Sequence, residues 1–160
     1  MPFVSPHAHT PLIDGRQSER AMLVRRGVQR LLAEMRHSSL PEVPLASGRR
    51  ADLMAIAPGG DIAIIEIKSS IEDFRVDRKW PDYRLHSDRL YFATHPGVPV
   101  DIFPIDCGLI VSDGFGAAIL REAPHHKLPP PTRKALTLAF ARLAADRLLV
   151  AEWSAGGLAF

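Results

Sequence analysis

Apolar residues along this chain follow two rhythms. Met22, Leu23, Val28, Leu31, Leu32 and Met35 recur close to every 3.6 residues, with Arg25, Arg26, Arg30 and Arg36 among the other positions. That spacing predicts an amphipathic helix from about Ser18 to Arg36. The pattern then shortens. His37–Pro41 reads as a turn, Glu42–Ala46 as a short strand, Arg50–Ala57 as a second strand and the isoleucine-rich Asp61–Lys68 as a third. Ser47-Gly48 and Pro58-Gly59-Gly60 punctuate them as turns. Ser69–Trp80 predicts a helix broken at Pro81, and Tyr83–Ser87 an irregular stretch or short helix. Arg89–Thr94 reads as a fourth strand ended by His95-Pro96-Gly97, and Cys107–Ser112 with Ala117–Glu122 as a strand pair around Asp113-Gly114. Pro124 and Pro129–Pro131 predict a stiff linker. Thr132 is then expected to cap a last helix to about Val150, with Leu136, Phe140, Leu143 and Leu148 on its apolar side.

This order gives an α/β fold. The 160 residues suit one domain with a sizeable core. The expected organisation is a flexible arm over 1–17, a domain over 18–153 and a frayed tail over 154–160. Hydrophobic residues at 46% and charged residues at 24% exclude a disordered chain. A net charge of +2 permits a polyanionic partner without demanding one. The single cysteine, Cys107, excludes an internal disulfide and a Cys-rich zinc site, and its apolar surroundings predict a buried hydrophobe. Neither a signal peptide nor an apolar run long enough to span a membrane is visible, so a cytoplasmic location is expected.

The segment Arg49–Ser70 carries the candidate chemistry. Strand side chains alternate faces. Ile62, Ile64, Glu66 and Lys68 therefore share one face of the third strand, and Arg50, Asp52, Met54 and Ile56 one face of the second. If these strands pair through Pro58-Gly59-Gly60, Asp52 and Glu66 lie together, with Lys68 beyond. Glu66 follows Ile62–Ile65 and precedes Ile67, so it is expected to be desolvated, which is costly unless it is paired or bound to a cation. Hard oxygen ligands favour Mg²⁺ or Mn²⁺. The competing reading is purely structural, with Glu66 paired to an arginine and Asp52 to Lys68.

With these residues in place, the chain resembles the PD-(D/E)XK nuclease superfamily, and more closely its MmcB-like DNA repair branch. The likeness rests on Arg49-Arg50-Ala51-Asp52-Leu53, Ile64-Ile65-Glu66-Ile67-Lys68-Ser69, Asp77-Arg78-Lys79-Trp80 with Tyr83, and Asp88-Arg89-Leu90-Tyr91-Phe92-Ala93. It implies a restriction-endonuclease-like core, α-β-β-β-α-β, with a central mixed sheet flanked by helices. It also implies Asp52, Glu66 and the Ile67 carbonyl as Mg²⁺ or Mn²⁺ ligands, Lys68 as the residue positioning water, and DNA as substrate, with other repair proteins as candidate partners. Ala51 stands where the superfamily often has proline. A further acid is expected, from Glu34, Glu19 or Glu42. The alternative from another class is a nuclease-fold DNA-binding or scaffold protein that cuts weakly or not at all.

Arg49, Arg50 and Lys79 are candidate phosphate contacts, with Arg75 and Arg78 as rivals on a solvated face. Tyr83 and His86 are candidates to line the site, with Asp88 either lining it or stabilising a turn. Trp80 and Tyr83 either stack on bases or pack the second helix onto the sheet, the latter being favoured. His7 and His9 have metal-site spacing but no evident third ligand.

Overall fold

The first helix, α1 (Gly15–Glu34), turns Val24, Val28 and Leu32 onto one face of a sheet. The computed structural model describes residues 15–156, with side chains from residue 19. Residues 1–14 of the expected arm, with His7 and His9, and residues 157–160 of the tail lie outside the described residues, whereas Gly15–Gln17 belong to α1, which starts before the expected Ser18. Among the described residues six strands follow: β1 (Ser38–Pro44), β2 (Arg50–Ile56), β3 (Ile62–Ile67), β4 (Arg89–Thr94), β5 (Gly108–Ser112) and β6 (Ala117–Arg121). They lie in sequence order in one mixed sheet, with β3–β4–β5 parallel and the outer pairs antiparallel. A short helix, α2 (Ile71–Val76), a 3-10 segment (Trp80–His86) and the long α3 (Pro130–Ala155) complete the fold.

The helices cover both faces of the sheet. One core packs α1 against Leu53, Ala55, Ile65, Tyr91 and Ile110. The other holds Met54, Ile62, Ile64 and Phe92 against Phe74, Trp80 and Phe140. Burial on both faces explains why β3 and β4 read as apolar runs rather than as alternation.

Several boundaries differ from the sequence expectation. Ser38–Pro41, read as a turn, pairs with Leu53–Ile56 and begins β1. Pro41 is tolerated because β1 is an edge strand. The helix expected over Ser69–Trp80 stops at Val76, and Pro81 lies in the first turn of the 3-10 segment instead of ending a helix. The triple proline is not a linker. Pro129 is the N-cap of α3 and Pro130 opens the helix, where a missing N–H costs nothing. The helix therefore starts before Thr132 and runs past Val150 to Ala155, into the expected tail.

Gly27 sets the approach of α1 to the sheet. A Cβ there would run into the Ser112 hydroxyl and sit 2.9 Å from the Gly116 carbonyl oxygen. Helix propensity favours alanine by about 1 kcal/mol, but overpacking costs about 1–3 kcal/mol. Gly27→Ala is therefore expected to lower stability, seen as a reduced urea midpoint at unchanged slope.

Candidate active site

The strand register builds a row of acids across three neighbouring strands. Leu53 pairs with Ile65 in β2–β3, so Asp52 and Glu66 stand opposite each other just past the last ladder pair. In β1–β2, Pro41 pairs with Leu53 and Val43 with Ala51, which leaves Glu42 facing Asp52. Where the β2–β3 ladder ends, side chains take over its hydrogen bonds. The Asp52 N–H donates to Glu66 Oε1 (3.1 Å), and the Ile67 N–H donates to Asp52 Oδ2 (2.8 Å). The two carboxyl groups are within hydrogen-bonding reach of one another.

This pairing is electrostatically costly. Glu66 is 3% exposed. Burial first, and the Asp52 charge second, push its carboxyl up to about 9. Burial also raises Asp52, against the pull of the Ile67 N–H and the Lys68 ammonium. Lys68 is buried too, and its Nζ lies 2.5 Å from Asp77 Oδ2, with both side chains shielded from water. The other Asp77 oxygen accepts the N–H groups of Lys79 and Trp80. These bonds, with the Lys68 contact, hold the Asp77 carboxyl below its ordinary value although burial opposes them. Asp77 thus fixes where the Lys68 ammonium sits.

Glu42 has a left-handed backbone, φ 54°, which non-glycine residues rarely adopt. Arg147 of α3 holds that conformation by donating to the carbonyls of Pro41 (2.5 Å) and Glu42 (2.8 Å). The Glu42 carboxylate is 3.3 Å from Arg50 and raises the Asp52 carboxyl. Glu42, Asp52 and Ile67 line a cleft with Ala21, Met22 and Arg25 of α1. Glu34 is elsewhere. It lies two and a half turns beyond Arg25, about 13 Å along the helix, in an exposed pair with Arg30. Glu19 lines a neighbouring depression with Met22, Leu23 and Arg26.

The remaining candidates are placed as follows. Arg49 is bound to Asp82 (2.6 Å) and Arg50 to Glu42. Tyr83 is buried, donates its hydroxyl to the Arg50 carbonyl (3.0 Å) and is raised by burial and by the charges of Glu66, Asp52 and Asp77. It is a wall of the acidic site that stays protonated. Trp80 packs edge-on against Phe92, with the Arg84 guanidinium over its ring. Both aromatics therefore pack onto the sheet. Lys79, Arg75 and Arg78 are exposed. His86 ends the 3-10 segment that Trp80 begins, about 12 Å further on. Cys107 is buried, which pushes its thiol up to about 11.

Two residues at the site escape sequence reasoning. Arg25 looks like one more cation of a polar helix face until α1 is docked. Asp77 lies on a connector whose path only the fold decides, although it falls within one of the segments carrying the family likeness.

Asp61, Asp88 and His125 bring three ligand atoms within 4.8 Å of one another and could hold a metal ion. They lie at the opposite end of β3, about 16 Å from Glu66. Here Asp88 is saturated. It accepts the N–H groups of Ile62 and Leu128 and is gripped by Arg133 through both oxygens. These bonds bring its carboxyl down to about 2 although burial opposes them. The guanidinium already supplies the positive charge that a cation would bring. Asp88 is thus a clasp, not a residue lining the cleft.

Among the described residues, no helix is long and apolar enough to cross a membrane. No curated protein matches the chain. It is similar to the solved structure of a protein of unknown function from Silicibacter pomeroyi, with 38% identity and a TM-score of 0.82 over 86% of this chain and 94% of that one. A family model described as DNA repair protein MmcB-like matches residues 8–155. The chain therefore belongs to the MmcB-like family of DNA repair proteins.

Proposed function

We propose that this protein is a Mg²⁺- or Mn²⁺-dependent deoxyribonuclease that hydrolyses phosphodiester bonds of damaged or structured DNA. Family membership supports a role in DNA repair. The observation that carries the finer reading is the carboxyl pair Asp52–Glu66, with Glu66 buried and raised to about 9 and a buried ammonium close by. Such a pair is costly to keep buried without a counter-charge. A divalent cation held by both carboxylates would offset the cost of their burial and mutual repulsion.

The donor set fits a hard cation. Asp52 and Glu66 supply carboxylate oxygens, and Ile67, which lines the cleft, is the backbone ligand. The cation supplies an activated water and stabilises charge building on the phosphate. Lys68, held by Asp77, orients that water and offsets the same charge. Arg25 and Glu42 line the same cleft, where Arg25 pairs with a phosphate and Glu42 completes the acidic row. The exposed Lys79 lies two residues from Asp77 and extends the basic approach.

The test incubates the purified protein with labelled single-stranded, duplex and flap DNA, with Mg²⁺ or Mn²⁺, beside Asp52→Ala and Lys68→Ala. Cutting by the unmodified chain is expected to fall at least about a hundredfold in each variant. Retention of DNA without cutting supports the scaffold alternative instead. Asp77→Asn keeps the shape but weakens the hold on Lys68. It is expected to slow cutting by about tenfold with little change in DNA retention, measured by single-turnover rates and filter binding.

A further inference from the structure

α3 buries little of itself. Phe140 is its buried residue, with Leu136 and Leu143 partly buried against the sheet. The helix is pinned by arginines: Arg133 grips Asp88 near one end, and Arg147 binds the β1 carbonyls toward the other. The outward face of such a helix is normally charged. This one is not. Leu138 is 58% exposed and Leu148 61%, with Leu149 and Val150 open beside them.

The outward residues have an order. Lys134, Leu138, Ala141, Ala145, Leu148 and Glu152 are all exposed. They are spaced by four, three, four, three and four residues, the spacing of a coiled-coil seam. From either end the stripe reads charge, leucine, alanine, alanine, leucine, charge, and the two charges are opposite in sign. An identical helix running antiparallel sets Leu138 against Leu148 of the second copy, Ala141 against Ala145 and Lys134 against Glu152. Each contact occurs twice about a two-fold axis, as an interface between identical patches requires. The central alanines allow close approach of the helix axes. Parallel pairing sets like charges against each other at both ends, so the charges select the antiparallel arrangement.

We propose that two copies of this chain form an antiparallel dimer through the outer face of α3, along the stripe Lys134–Leu138–Ala141–Ala145–Leu148–Glu152. The seam is about 27 Å long. The occupant is a second copy because size and charge are self-complementary under a two-fold rotation. None of the stripe residues lines the cleft beside α1, so the dimer leaves two clefts open. The proposal does not depend on the chemistry of those clefts.

Light scattering and sedimentation of the full chain test it. The expected mass is twice the 17.6 kDa of one chain. Lys134→Glu and Glu152→Lys each create two like-charge contacts and are expected to weaken the dimer by about tenfold or more. The double variant Lys134→Glu with Glu152→Lys restores opposite charges and should restore the dimer. Circular dichroism reports that each variant is folded. A wild-type chain that stays monomeric up to about 1 mM overturns the proposal. So does a dimer that ignores both single variants, or a double variant that stays weak. A monomer that binds a different protein along the same stripe overturns the assignment of the occupant.

Discussion

Arg133→Ala is expected to destabilise the protein by about 3–5 kcal/mol, because it leaves the Asp88 carboxylate buried without its counter-charge. Asp88 is 0% exposed, and both its oxygens are held by Arg133, at 2.5 and 2.6 Å. The same carboxylate ties the start of β3, through the Ile62 N–H, to the Leu128 N–H just before α3. Losing the guanidinium therefore loosens the helix and the sheet together. Asp88 is brought from 3.8 to about 2, so its contribution is fully present above 3.8 and lost as the pH falls through about 2. The gap between wild type and Arg133→Ala should accordingly narrow over that acidic window. Urea midpoints at a series of pH values measure it. A small, pH-independent gap would show that Arg133 only packs against the sheet. Asp88→Asn combined with Arg133→Ala should recover part of the loss, since the buried charge then goes as well.

Glu66→Gln is expected to do two opposite things. It removes a ligand of the proposed cation and should lower cutting by about a hundredfold or more. It should also stabilise the cation-free protein at neutral and alkaline pH. The Glu66 carboxyl rises from 4.5 to about 9 on folding. Between those values the unfolded chain is ionised while the folded chain keeps its proton, so unfolding releases a proton. The stability Glu66 contributes is therefore complete below 4.5 and is lost as pH rises through about 9. Glutamine has no such dependence. In a chelating buffer the advantage of Glu66→Gln over wild type should grow across this window, and added Mg²⁺ should close it by stabilising wild type alone. A constant difference across pH, or equal stabilisation of both proteins by Mg²⁺, would sink the reading of Glu66 as a buried ligand.

The hairpin around Pro58-Gly59-Gly60 explains why the juxtaposition of Asp52 and Glu66 could be read from the chain. A short turn fixes register, and the period of two then brings Asp52 opposite Glu66. β4 was equally plain, because Arg89–Thr94 is an apolar run bounded by polar and turn residues. The elements whose expected form the fold overturns lack such local marks. Pro129–Pro131 carries the same composition whether it is a linker or the first turn of a helix, and the Arg133–Asp88 clasp anchors that helix start to the core. Ser38–Pro41 has little strand propensity and is extended because β2 pairs with it.

The choice among Glu34, Glu19 and Glu42 shows where sequence reasoning stops. Glu42 reaches the acidic row only because β1 pairs with β2 and because Arg147, over a hundred residues away, holds its backbone in a left-handed turn. Asp77 meets Lys68 because the chain after α2 folds back over the end of β3. The chain by itself determined the α/β order, the hairpin and the desolvated carboxylate in an isoleucine strand, since each follows from neighbours a few residues apart. Only the tertiary structure decided which third acid joins the row, what holds the lysine, and that α3 turns a self-complementary stripe to water. Those are pairings between distant segments, and their energies depend on burial and charge that exist only once the sheet is assembled.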